Sequence, residues 1–99
     1  FNGREWSRGI AIDTDSSEPF IVSDYSGGIH LAWSKEGSGQ IFYNAKFQSG
    51  WSRPTNISQS TNKCYVPSIT AVGSLLLFTW TEDRAEHSDI ISRHVVIAK

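Results

Sequence analysis

A segment that returns at a nearly fixed distance along a chain dictates a stacked architecture, and this chain of 99 residues carries such a repeat. Trp6-Ser7-Arg8 followed by Ile12 recurs as Trp51-Ser52-Arg53 followed by Ile57, a shift of 45. Pro19-Phe20-Ile21 matches Pro67-Ser68-Ile69 at 48. Ile29-His30-Leu31-Ala32-Trp33 matches Leu76-Leu77-Phe78-Thr79-Trp80 at 47, and Gln40-Ile41-Phe42 matches Asp89-Ile90-Ile91 at 49. The landmarks keep one order while the shift wanders by a few residues. Loops therefore absorb the differences and regular elements hold their places.

Those elements read as strands. Four Trp, five Phe and three Tyr, with plentiful Ile, Val, Ser and Thr and clustered glycines, favour pleated strands and tight turns over helices. Strand one of the first unit is expected from Phe20 to Asp24, after Pro19, which cannot donate to a ladder. Ser26-Gly27-Gly28 turns the chain into strand two, Ile29 to Lys35. The hairpin loop Glu36-Gly37-Ser38-Gly39 leads to strand three, Gln40 to Gln48. Trp51 to Ile57 is the fourth strand. After a polar loop from Ser58 to Lys63, the spans Tyr65 to Val72, Leu75 to Glu82 and Asp89 to Ile97 repeat strands one to three. The missing fourth strand has its Trp-Ser-Arg signature at the other end of the chain, in Glu5 to Ile12.

The expected fold is all-β and a single module. Residues 1–12 hold a closing fourth strand, 19–57 one four-stranded unit and 65–97 three strands of another. Four strands in a period near 45 residues describe blades of a β-propeller, where each sheet buries both faces against neighbours. Leu75 to Trp80, apolar on both faces of its strand, fits such burial.

The succession Pro-x-Ile, a Gly turn, an aliphatic strand ending in Trp, an Ile-aromatic-Tyr strand and Gly-Trp-Ser-x-Pro resembles blades of sialidase-like propellers and related Asp-box repeat proteins. It is clearest from Gly28 to Ile57 and is echoed from Pro67 to Ile91. The turn Ala45-Lys46-Phe47-Gln48-Ser49-Gly50-Trp51 keeps the Gly and Trp of the Asp-box without its Ser and Asp, a degenerate form. The Phe-Arg-Ile-Pro motif of active sialidases has no counterpart, so the resemblance implies the propeller fold and not that catalytic set. Two blades cannot close a ring, and alone they expose apolar faces and an open edge. A head-to-tail homo-oligomer is expected, with the leading strand of one copy completing the last blade of the next; three copies give about six blades, and the resemblance favours this trimer. The alternative is a piece of one longer sialidase-like or other glycosidase propeller.

Charge and motifs exclude several functions. Nine Lys and Arg against ten Asp and Glu leave a net charge of −1, without the bulk positive field that grips nucleic acid or anionic membranes. Apolar runs such as Leu75 to Phe78 reach only four residues, far short of the roughly 20 residues of a membrane-spanning helix. One cysteine, Cys64, excludes an internal disulfide framework, and no Cys/His spacing matches a zinc site. No cofactor or metal motif, nucleophile elbow or phosphate-binding loop occurs, and His30, His87 and His94 have no nucleophile or ligand at motif spacing. No catalytic residue is assigned. The chain begins at Phe1 rather than Met, as after removal of a leader, tag or precursor. Its compartment stays open, with a secreted or extracellular setting favoured.

Binding is the expected activity, by a lectin-like module that takes glycans or glycoproteins without turnover. Apolar sugar faces stack on aromatic rings while hydroxyls meet guanidinium and carboxylate groups, which singles out Trp6 and Arg8 and their counterparts Trp51 and Arg53. Inter-blade packing is the competing role of these tryptophans and the first expectation for all four, Trp33 and Trp80 included. The loops Asp13 to Glu18 and Ser58 to Tyr65 fall on one face with the hairpins Glu36 to Gly39 and Asp83 to Ser88, and that face is the expected pocket. Tyr65, Arg84, Glu86 and His87 are its candidate ligand contacts. Thr81-Glu82-Asp83-Arg84 reads first as an ordinary exposed loop. Asp13, Asp15 and Glu18 read as solvated turn carboxylates, since the EF-hand spacing is absent. Cys64 is expected to be a small, partly buried hydrophobe, and Asn56-Ile57-Ser58 a glycosylation sequon on an accessible outer strand. A structural or protein-binding ring is the third reading.

Overall fold

The computed structural model describes residue 9 and residues 11–48 and 50–96, and all regular structure among them is β. Ser16–Ser23 (β1), Ile29–Lys35 (β2), Gln40–Phe47 (β3), Gly50–Trp51 (β4) and Thr55–Asn56 (β5) form one antiparallel sheet. Cys64–Val72 (β6), Leu75–Asp83 (β7) and Ser88–Val96 (β8) form a second. Both are meanders, with each long strand beside its sequence neighbour. Thr81 and Glu82 lie in β7, as the expected strand Leu75 to Glu82 has it and the loop reading of Thr81 to Arg84 does not; Asp83 lengthens the strand by one residue, and Glu82 pairs with Cys64 on one side and Asp89 on the other.

The pairing reproduces the repeat. Ile21 lies opposite Leu31 and Ile69 opposite Phe78; Trp33 lies opposite Phe42 and Trp80 opposite Ile91. These are the shifts of 48, 47 and 49 seen in the sequence. Each first strand breaks register at the same point, between Ser17 and Phe20 and between Tyr65 and Ser68. Pro19 and Pro67 sit inside these irregularities, where a missing N–H is tolerated, so β1 reaches back to Ser16 instead of starting after Pro19. The residues before the prolines, Glu18 and Val66, both take left-handed backbone, with φ of 53° and 54°. For β-branched Val66 this conformation is strained.

The expected strand from Trp51 to Ile57 is two short pieces. Pro54 has no N–H to give, and only Trp51 opposite Lys46 and Thr55 opposite Tyr43, with their neighbours, pair with β3. Ser52 holds the break by accepting the Ala45 N–H on Oγ and donating its own N–H to the Ala45 carbonyl. Of the expected leading strand, Glu5 to Arg8 and Ile10 lie outside the described residues, while Gly9, Ala11 and Ile12 belong to no strand. Among the described residues, β8 has no partner on its outer edge.

The two sheets stack face to face. Ala32 and Ile41 of the first sheet, with Val22 and Tyr43, pack on Ile69, Leu76, Phe78 and Trp80 of the second. Tyr43 meets Phe78 edge to face at 5.1 Å, the arrangement that ring quadrupoles favour. Trp80 is buried in the contact between the sheets, whereas Trp33, one residue after Ala32 and so on the other face of β2, is buried away from it beside Leu31. Cys64 is fully buried in this core, beyond the partial burial expected of it. Burial along β7 alternates: Leu76, Phe78 and Trp80 are inside while Leu77 is exposed. The reason is that the first sheet covers one face of the second and leaves the other open.

Candidate functional site

The four loops expected on one face do converge. The Glu36 N–H donates to the Asp15 carbonyl at 2.8 Å, Cys64 N–H to the Gly39 carbonyl at 2.6 Å, and Asp83 N–H to the Lys63 carbonyl at 2.9 Å. These bonds tie each entry loop to a hairpin and leave a cleft of about 370 Å³ between the sheets, lined by Ser17, Glu18, Ser34, Lys35, Lys63 and Tyr65 among others.

Glu18 is the central group. Its carboxylate accepts Ser34 Oγ at 2.7 Å and the Val66 N–H at 3.0 Å, so it joins the equivalent irregularities of the two sheets. The Ser34 bond, then the Val66 bond, hold the carboxyl below the usual glutamate range. Asp13 accepts Lys35 Nζ at 2.8 Å and Trp33 Nε1 at 3.1 Å, and the Lys35 bond leads in lowering its pKa. Asp15 and Glu18 are exposed, as expected of solvated carboxylates, although Glu18 is also held by its two hydrogen bonds; Asp13 is half-buried and anchored by Lys35 and Trp33.

Across the cleft, Lys63 lies 5.8 Å from the centre of the Tyr65 ring. The Tyr65 hydroxyl donates to Asp83 Oδ1 at 2.8 Å, which raises the phenol pKa, and Ser88 Oγ donates to the same oxygen at 2.8 Å. The Ser88 bond, followed by the Tyr65 bond, lowers the Asp83 pKa. Glu82 is buried beside them. Burial pushes its pKa up, but bonds from Ser60, Cys64 and Asn62 and the charge of Arg84 outweigh it and bring the carboxyl below its usual value. Burial is also the first cause that pushes the Cys64 thiol up, which keeps it protonated and inert.

The candidate residues from the sequence divide between the two ends of the sheets. Tyr65 lines the cleft. Arg84 turns away to Glu82 at 2.8 Å and Asp89 at 3.0 Å, where His87 joins at 3.3 Å; Glu86 is exposed on the hairpin. Trp51 is half-buried, with Lys46 Nζ 5.9 Å from its ring, and Arg53 is exposed next to it. Lys46 pairs with Ile29 and Gln40 with Lys35, so Trp51 lies a full β2 length, roughly 20 Å, from the cleft. Trp6 and Arg8 lie outside the described residues. Asn56 of the sequon is half-buried, and its Oδ1 accepts from Ser58 and Gln59, so the side chain is folded into the turn and not free on an outer strand.

A second polar cluster escaped sequence reasoning. Asp24 Oδ1 accepts the Ser26 N–H at 2.8 Å, Ser26 Oγ at 2.7 Å and the Gly28 N–H at 2.9 Å. Its Oδ2 accepts His30 Nε2–H at 2.6 Å, and His30 Nδ1 meets the Tyr43 hydroxyl at 2.7 Å. The His30 bond, then that of Ser26, holds the Asp24 carboxyl far below the aspartate range. Burial and the Asp24 charge raise the Tyr43 pKa, so its phenol stays protonated and is no nucleophile. The cluster braces the β1–β2 turn. A Cβ on Gly28 would stand 2.6 Å from both Asp24 Oδ2 and Phe47 Cε1. Gly28→Ala is therefore expected to destabilise the protein by about 1–3 kcal/mol, read as a lower urea midpoint. An unchanged midpoint would show that the turn relaxes freely.

The molecule is thus an all-β protein of two antiparallel sheets with a polar cleft between them. No protein family, curated protein or solved structure matches the chain. Among the described residues, no three His, Cys, Asp or Glu side chains converge to hold a metal ion.

Proposed function

We propose that the two sheets are blades of a β-propeller, completed head to tail by further copies of the chain, and that the module binds glycans in the cleft without chemical turnover. The observation that carries the binding reading is the lining of that cleft. The carboxylate of Glu18, hydroxyls at Ser17 and Ser34, the cations of Lys35 and Lys63 and the ring of Tyr65, whose hydroxyl is held by Asp83 behind it, stand on strand ends and their tied loops. Sugar hydroxyls both donate and accept, and such mixed partners on rigid positions suit them.

The carboxylates favour binding over hydrolysis. A glycosidase needs one carboxyl with a raised pKa to protonate the leaving group. Asp13, Glu18, Glu82 and Asp83 are all held below their usual range, so none keeps a proton near neutral pH. They serve as acceptors for hydroxyl groups.

A glycan array identifies a bound sugar, and calorimetry then compares wild type with Lys63→Ala. Loss of a charge-assisted hydrogen bond is expected to weaken binding about 10- to 100-fold with the melting temperature unchanged. Unaltered affinity would remove the cleft from consideration. Turnover of a fluorogenic glycoside would favour a glycosidase instead.

A further inference from the structure

We infer that the open face of the second sheet is a self-association surface, which receives the opposite face of the first sheet from a second copy of this chain. The inference rests on the head-to-tail reading above and adds the surfaces that would meet. The internal stacking has a direction. Ala32 and Ile41 lie on the face of the first sheet that contacts the second, and their repeat counterparts are Thr79 and Ile90. Thr79 and Ile90 lie on the far face of the second sheet, opposite the side that carries Ile69 and Phe78. The sheets therefore stack front to back. A front-to-back step is heterologous and can be applied again.

The two surfaces that the next step would use are both open. Ile41 is 0% exposed on the covered front of the first sheet, and its counterpart Ile90 is 74% exposed on the uncovered front of the second. Ile69 is 2% exposed on the covered back of the second sheet, and its counterpart Ile21 is 61% exposed on the back of the first. At these two isoleucine positions the residue is buried where a neighbour exists and bare where none does, while Trp33 on the same back is covered within its own chain. Thr70, Val72, Leu77, Thr79, Thr81 and Ile90 on the open front are uncharged, with His94 opposite Leu77 and Asp83 at the end of β7 on the same face. The exposed side chains of Val72, Leu77 and Ile90 on this face are the apolar surface that an interface would cover. Its fitting occupant is a second copy because Ile21, Leu31 and Phe42 present the same apolar chemistry as Ile69, Phe78 and Ile91, which already pack on a front of this kind.

Sedimentation of wild type, Ile90→Lys, Ile21→Lys and a mixture of the two variants tests the proposal. Both positions are exposed, so neither substitution opens a core, and melting curves verify the fold. Wild type is expected at a multiple of 11.0 kDa, and each variant alone at 11.0 kDa, because a lysine in every contact leaves a buried unpaired charge. The mixture is expected to regain pairs of twice the monomer mass, since one variant keeps a sound front and the other a sound back. Wild type at monomer mass, a variant that keeps the wild-type mass, or a mixture that stays monomeric would each overturn the inference. Glycan titration of the same samples keeps the two readings apart. The cleft lies within one chain, so sugar binding by a monomer defeats only the assembly, and assembly without sugar binding defeats only the lectin reading.

Discussion

Asp24→Ala is expected to lower the unfolding free energy by about 3–5 kcal/mol, a large share of what a single domain possesses. Both the aspartate and the His30 side chain are almost completely buried. Alanine in place of the carboxylate strands the Ser26 and Gly28 N–H groups and His30 Nε2–H without an acceptor. Each orphaned donor carries its own desolvation penalty, and they add within one turn. Urea unfolding at neutral pH measures the loss. The same pair of proteins also carries a pH signature. Because the folded pKa lies below the ordinary value of 3.8, the stabilisation is complete above that value and is lost as pH falls toward the folded pKa. The gap between wild type and variant should therefore close in strong acid. A gap that stays constant from pH 5 down to pH 2 would show that the ionised carboxylate is not its source.

The sequence made the strand order legible and left this cluster hidden, for one physical reason. Turn residues punctuate the chain, so Ile29–Lys35 falls where Gly28 and Glu36 bound it. Partners across strands depend on register. His30 lies opposite Ala45 and Tyr43 opposite Ala32, so the histidine and tyrosine are diagonal neighbours only once β2 and β3 are aligned. The available signal was phase: His30 and Ala32 occupy the inward positions of β2, while Tyr43 shares a face of β3 with Ile41 and Ala45. A polar residue in an apolar phase calls for a partner. The cleft was legible in part. Chain order placed its four loops on one side, whereas Glu18 emerged as the link between sheets only because the break in register turns it toward the Val66 N–H. The irregularities themselves have no marker beyond Pro19 and Pro67, and those also suit a strand start.

Trp80→Ala is expected to be as damaging as Asp24→Ala by another mechanism, about 3–5 kcal/mol from a cavity in the contact between the sheets. The more discriminating change is to phenylalanine, because the two repeat-related tryptophans differ at one atom. Trp33 Nε1–H donates to Asp13 at 3.1 Å, whereas Trp80 Nε1 is buried with no hydrogen-bond partner among the described residues. The repeat explains the difference: the counterpart of Asp13 is Thr61, whose short side chain supplies no carboxylate. Trp80→Phe gives up ring volume but also removes a buried donor that has no acceptor, and the two effects oppose each other. Trp33→Phe loses volume and a hydrogen bond to an anion together. Thermal or urea unfolding should therefore rank Trp33→Phe as the costlier replacement, with Trp80→Phe within about 1.5 kcal/mol of wild type. The reverse order would mean that packing of the indole, not satisfaction of its N–H, decides what each strand end requires.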